Sequence, residues 1–424
     1  MTHANGVVTN YTFDAASQLL TLGHQLGATT INSFAYTYDK VGNRKSKADN
    51  AGTANYTYDV LNRLTQAVNP LPTNPLETFN YNPVGNRTSS NQNGSSVFNT
   101  ANQLLEDANL TYQYDNNGNQ TRKTAKIGGA VTQYEYDAEN KLVRVVSPTN
   151  TANYRYDGLG RRVEKEVVAG TTTVTKYVYD NEDILLELNG ANAIVARNTH
   201  GPGIDEPLAM EKGGQSYYYH ADGLTSITDI TNNIGSVVQR YSYSSFGTIE
   251  SQLDSSFIEP YTFTSREFDP ETASYHYRAR QYDARSGRFT ANDPLGFAAG
   301  DVNLYRYVKG NPIRYIDPSG LDSPGCDYVP DASCETPCRL ECCAQHDKCF
   351  DDYKCSFTSW VPYVGSDECR KCNSDATTCF IKCGKSTYDD PKKPNYYCAI
   401  LHRFISIPGD FKDLESAIKV CRSS

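Results

Sequence analysis

Tyr36-Thr37-Tyr38-Asp39-Lys40-Val41-Gly42-Asn43 states in eight residues how most of this chain folds. In an extended segment alternate side chains share a face, so Tyr36 and Tyr38 point the same way. Asp39 then opens a polar turn ending in Gly42-Asn43, residue types that supply side-chain-to-backbone bonds and positive φ. The unit recurs as Tyr11-Thr12-Phe13-Asp14, Tyr56-Thr57-Tyr58-Asp59, Tyr112-Gln113-Tyr114-Asp115, Tyr134-Glu135-Tyr136-Asp137, Tyr154-Arg155-Tyr156-Asp157 and Tyr177-Val178-Tyr179-Asp180, with a degenerate copy at Phe79-Asn80-Tyr81-Asn82. Successive fourth positions are 20 to 33 residues apart, the spacing of a repeat architecture. One such hairpin cannot bury its aromatic face alone, so neighbours must stack into a long antiparallel sheet. The tyrosines then form either a self-burying scaffold or a sugar-binding surface. The scaffold is preferred, because repeats must first bury one another.

The repeats have no cysteine. All 13 cysteines of the 424 residues lie between Cys326 and Cys421, which predicts a small domain held by disulfides and working in an oxidising space. An odd number leaves at least one thiol free or paired between chains. Net charge is −9, and the part from Asp322 onward carries 13 Lys and Arg against 16 Asp and Glu. On that ground nucleic acid is not expected as a partner. No apolar run reaches the roughly 18 residues of a membrane-spanning helix. The start, MTHANGVVTN, lacks the pattern of a signal peptide, which leaves either a C-terminal piece of a larger product or another export route.

The aromatic-x-aromatic-Asp units resemble the YD repeats of RHS proteins, which include bacterial polymorphic toxins. Tyr217-Tyr218-Tyr219-His220-Ala221-Asp222, Tyr277-Arg278-Ala279-Arg280-Gln281-Tyr282-Asp283, Gly287-Arg288-Phe289 and Asp293-Pro294-Leu295-Gly296-Phe297 are similar to the RHS-associated core. The resemblance covers about residues 1 to 321. It implies an all-β repeat shell, a spiralling antiparallel sheet enclosing a C-terminal toxin. The expected divisions are a YD-repeat shell over 1–200, the core with a self-cleavage motif over 201–321, and a toxin domain over 322–424. Asp317-Pro318-Ser319-Gly320-Leu321 reads by itself as a turn and linker. The resemblance adds a self-cleaving aspartyl protease, with Asp293 and Asp317 as the acid pair, Arg280 supporting them, and the cut after Leu321. Two close carboxyls can share one proton between acid and base roles.

In the tail, residues 341–353 and 366–383 contain neither Pro nor Gly and read as two helices, apart from Gly and Pro in the joining loop. Facing residues of antiparallel helices keep a constant sum of residue numbers. Cys338 with Cys383, Cys342 with Cys379, and Cys349 with Cys372 share one such sum, and the same register sets His346 opposite Asp375. The predicted tail is therefore a small disulfide-rich α-helical domain. Cys342-Cys343-Ala344-Gln345-His346-Asp347-Lys348-Cys349 resembles secreted phospholipase A2. The resemblance implies hydrolysis of the sn-2 ester of glycerophospholipids, with His346 as general base and Asp347 as a Ca²⁺ ligand. Two departures stand out. Asn373 occupies the family's orienting Asp position, leaving Asp375 as the substitute, and the glycine-rich calcium loop is missing. The bland alternative is a structural histidine in a silent lookalike. A zinc site at Cys369-x-x-Cys372 with His346 would leave most cysteines unexplained.

The sequence is thus read as an RHS toxin, secreted or delivered by a specialised system. Its tail would act in a periplasm or at the phospholipid membrane of a target cell, with an immunity protein as a further partner. The rival is a cell-surface YD-repeat binding protein with a silent tail.

Overall fold

Each repeat Asp closes its own turn. Asp39 Oδ1 accepts the backbone N–H of Val41 and of Asn43, each at 2.9 Å, while Asp39 N–H donates to Asn43 O. The left-handed conformation falls on the third residue after the Asp, at Gly42 (φ 85°) and in the next unit at Asn62 (φ 60°), residues that adopt it readily. The computed structural model describes residues 1–321 except Leu71 and Ile258. Among the described residues the regular structure is antiparallel strand with three short 3₁₀ turns and no α-helix. The predicted helical domain, with its cysteine pairs, lies outside them.

Strands hydrogen-bond in strict chain order. Nine strands from Val7–Phe13 to Gly94–Ser95 form one sheet, sixteen from Val97–Phe98 to Ile249–Gln252 a second, and four from Glu267–Asp269 to Arg288–Phe289 a third. The second sheet runs unbroken through residues 200 and 201. A register shift accompanies the second aromatic of each unit, as between Thr37 and Tyr38 and between Thr57 and Tyr58. Beside that bulge the tyrosine hydroxyl takes up a backbone carbonyl of the preceding hairpin. Tyr38 donates to Leu19 O, Tyr58 to Arg44 O, Tyr81 to Leu64 O, Tyr156 to Leu142 O and Tyr179 to Arg162 O, at 2.6 to 2.8 Å. The first tyrosine of the unit is buried, as at Tyr36, Tyr112, Tyr134, Tyr154 and Tyr177. The repeat tyrosines are therefore scaffold. Tyr11 and Phe13, stacked at 6.4 Å on the edge strand, are the exposed exceptions.

The turns also join one another. Asn43 Nδ2 donates to Asn62 Oδ1, Asn86 to Asn102 Oδ1, and Asn119 to Asn140 Oδ1, at 2.8 to 2.9 Å. More units exist than the sequence pattern displays. Asn99, Asn189 and Asn232 close turns as Asp39 does; an amide oxygen accepts the same two N–H groups that a carboxylate would.

The ribbon curls until strands nearly two hundred residues apart meet. Asn32 Nδ2 donates to Asp229 Oδ2 at 2.7 Å, Arg44 to Gly223 O at 2.6 Å, and Lys47 pairs with Asp222 at 2.7 Å. Farther along, Arg162 pins the spiral to the small sheet. It is 1% exposed and pairs with Glu267 (2.7 Å) and Asp269, while Lys165 bridges Asp269 (3.0 Å) and Glu271 (3.3 Å).

Three histidines fill the long-range seam. The His3 and His24 rings each lie 5.0 Å from His220. His24 contacts Ala221 O and Thr9 Oγ1, and His220 contacts Thr231 Oγ1. Burial and mutual repulsion push His3 down to about 4 and His220 to about 2; burial also lowers His24, against the opposing charges of Asp229 and Asp222. Folded values below the unfolded 6.5 mean that the stability is fully present above pH 6.5 and is lost as pH falls toward 4 and below. Each histidine kept neutral costs about 1.4 kcal/mol per pH unit across that window. The urea midpoint of the full chain should therefore fall between pH 6.5 and 4, and fall less steeply in His220→Gln.

Candidate active site

The small sheet encloses an aromatic core of Tyr275, Tyr277, Tyr282, Phe289 and Tyr307, each at most 1% exposed. Tyr282 and Tyr307 lie 4.3 Å apart by ring centroids. Arg280, on the strand Arg280–Asp283, lays its guanidinium 3.6 Å over the Phe289 ring. This flat, weakly hydrated cation tolerates such a setting, provided its N–H groups find acceptors. Nη1 donates to Leu304 O at 3.1 Å and Nε to Gly320 O.

Two carboxyls complete its surroundings. Arg280 Nη2 lies 2.9 Å from Asp293 Oδ2 and 3.6 Å from Asp317 Oδ2. The two carboxyls are thus no farther apart than those distances together, and both are buried. Asp293 is held by its own turn, with Oδ1 accepting Leu295 N–H at 2.8 Å and its backbone N–H donating to Leu304 O. Asp317 starts the turn that ends in Leu321, whose N–H donates to Asp317 Oδ1 at 3.1 Å. Burial raises the Asp317 pKa above the ordinary carboxyl range; Arg280 opposes this and Asp293 adds to it. One guanidinium facing two buried carboxyls balances best with one proton on the pair.

Arg280, Asp293, Asp317 and Leu321 thus come together in the fold. His346, Asp347, Asn373, Asp375 and the six cysteines expected to pair lie outside the described residues. Sequence reading passed over the groups that hold the Leu321 turn. Arg278 donates to Pro318 O and is itself fixed by Asp205 (2.8 Å) and Glu182 (2.9 Å). Ala279 N–H donates to Ser319 O at 3.1 Å. The Arg278 position was visible inside a quoted motif, but nothing local links it to Asp205.

Gly320 is left-handed (φ 69°), and a Cβ there would overlap the carbonyl oxygen of Tyr277. Gly320→Ala should therefore undock the turn at a cost of about 1–3 kcal/mol. Trypsin should then cut at Arg314 in this variant and leave the parent chain intact there.

The profile of the Teneurin YD-shell family matches residues 7–313. The tRNA3(Ser)-specific nuclease WapA of Bacillus spizizenii is 29% identical over 296 residues, covering 67% of this chain and 11% of that protein. Double-stranded DNA deaminase toxin A of Burkholderia cenocepacia is 26% identical over 322 residues, covering 68% and 22%. This chain therefore spans less than a quarter of the length of either relative. Among solved structures, the complex TcdB2-TccC3-Cdc42 superimposes with a TM-score of 0.63 at 21% identity, over 76% of this chain and 18% of that one, which speaks for the fold.

These relatives correct one expectation. A phospholipid membrane as partner, with nucleic acid excluded, conflicts with names that specify tRNA and double-stranded DNA. The error lay in reading a partner from net charge. That quantity governs long-range, non-specific attraction, and the −9 of this chain is spread over all 424 residues.

Proposed function

Because this chain belongs to the Teneurin YD-shell family, we propose that its repeat shell carries a C-terminal toxin segment, exported or delivered to another cell, and releases it by cutting its own backbone after Leu321. The observation that carries this reading is the convergence of Arg280, Asp293 and Asp317 on the turn that contains Leu321. In the proposed reaction Asp293, the carboxyl nearer the guanidinium, takes a proton from water. The water oxygen adds to the Leu321 carbonyl carbon. Asp317, whose burial favours the protonated form, is the acid. Collapse breaks the C–N bond to residue 322 as Asp293 gives the departing amine the proton it took from water, and the carbonyl re-forms by returning a hydroxyl proton to Asp317.

For the released segment we read a hydrolase in which His346 activates water and Asp375 or Asn373 orients the ring. The sequence from Cys342 to Cys349 supports this. The finer reading, sn-2 ester cleavage with Ca²⁺ at Asp347, rests on that stretch alone. The relatives' names make tRNA and double-stranded DNA equally necessary substrates to try.

Two measurements test the reading. Mass spectrometry of the expressed chain should find one fragment ending at Leu321 and another beginning at Asp322. A single 47.0 kDa chain would favour the cell-surface rival. The second fragment, with its disulfides formed, is then given tRNA, double-stranded DNA and glycerophospholipid, with Ca²⁺ or chelator. Turnover of one of them, lost in His346→Ala, identifies the chemistry; turnover of none leaves a silent tail.

A further inference from the structure

Ser319 stands between the proposed acid and the bond to be cut. Its Oγ is 3.2 Å from Asp317 Oδ1 and 3.3 Å from the Leu321 carbonyl oxygen, and Leu321 N–H donates to the same Oγ at 3.1 Å. Both neighbours of the hydroxyl are anchored. Arg278 holds Pro318 O and Ala279 N–H holds Ser319 O, so the backbone that aims Oγ is clamped to the strand turn around residues 278 and 279. A hydroxyl has one proton to donate and two lone pairs to accept with. When Asp317 is ionised, the carboxylate is the stronger acceptor and claims that proton. When Asp317 is protonated, the direction reverses. The carboxyl donates to Oγ, and the serine's own proton turns to the Leu321 oxygen. Asp317 is already engaged by the Leu321 N–H, and Ser319 is the group in contact with both the carboxyl and the carbonyl oxygen.

Resting on the self-cleavage reading, we propose that Ser319 is a catalytic residue that relays the Asp317 proton to the Leu321 carbonyl oxygen as water adds. The step balances. The Asp317 O–H bond breaks as a new Ser319 O–H forms, and the original Ser319 O–H breaks as the carbonyl oxygen gains its proton. The water oxygen bonds to the carbonyl carbon while one water proton goes to Asp293 and the other stays on that oxygen. Ser319 ends as it began. Both Oγ distances are long for O–H···O bonds, and such contacts in a resting site shorten as the reaction proceeds.

The test follows cleavage of the full chain during cell-free synthesis, comparing parent, Ser319→Ala, Ser319→Thr and Asp317→Asn. Removing one hydrogen-bond donor from a developing oxyanion slows catalysis by about 100-fold or more. Ser319→Ala should show that loss, and Ser319→Thr, which keeps the hydroxyl, should stay within about tenfold of the parent. Threonine rescue separates loss of the relay from loss of the turn. Cleavage of Ser319→Ala at the parent rate, or equal slowing in both variants, overturns the relay. If Asp317→Asn cuts at the parent rate, the aspartyl reading itself falls, whatever Ser319 does.

Discussion

Asp317→Asn should leave the chain whole, with less than about one-hundredth of the parent's cleavage rate when the 47.0 kDa band is followed over time. An amide has the carboxyl's shape, and its oxygen can still accept the Leu321 N–H, so the turn stays in place. The lost property is the exchangeable proton. Asp293→Asn should fail equally, through loss of the base. Arg280→Lys should fail despite keeping its charge, because one ammonium cannot reach Leu304 O, Gly320 O and both carboxyls at once. The direction of the pH dependence follows from the raised Asp317 pKa. Its proton is retained above the ordinary carboxyl range and released as pH climbs further, so cleavage should slow toward alkaline pH. A rate that rises with pH would place the essential proton elsewhere.

The largest effect on stability is expected at Arg162. Its guanidinium sits 1% exposed between Glu267 and Asp269, with Lys165 as the second cation paired to Asp269. Arg162→Met fills a similar volume but strands buried carboxylates. Breaking a buried pair in this way costs about 3–5 kcal/mol, and thermal unfolding of the variant should show it. Adding Glu267→Gln and Asp269→Asn should recover part of the loss, because neutral amides cost less to bury than uncompensated carboxylates. A single variant as stable as the parent would mean that the pairs contribute nothing net.

The fold was legible where its cause is local. Asp39, Gly42 and Asn43 act within five residues, and a tyrosine at every second position announces a strand. Units whose turn begins with Asn, such as Asn99 and Asn232, escaped a pattern written around Asp, although the amide oxygen does the same work. Asp293 and Asp317 lay in recognisable motifs, yet only the folded chain brings both to Arg280. Asp205, which steadies Arg278 from 73 residues away, had no signal at all, because an ion pair between distant turns leaves no mark in either local sequence. The partner was misread for a different reason, since whole-chain charge cannot stand for the chemistry of one site.

Strict chain order in the sheets has a consequence for how the shell is made. Every hairpin can close as soon as its second strand leaves the ribosome, with only a short loop to order. The contacts of Asn32 with Asp229 and of Arg44 with Gly223 must wait for some two hundred further residues. Synthesis therefore winds the wall first and seals it late. The turn at Asp317 and the tail beyond it emerge only after the strand that carries Arg280 has been made.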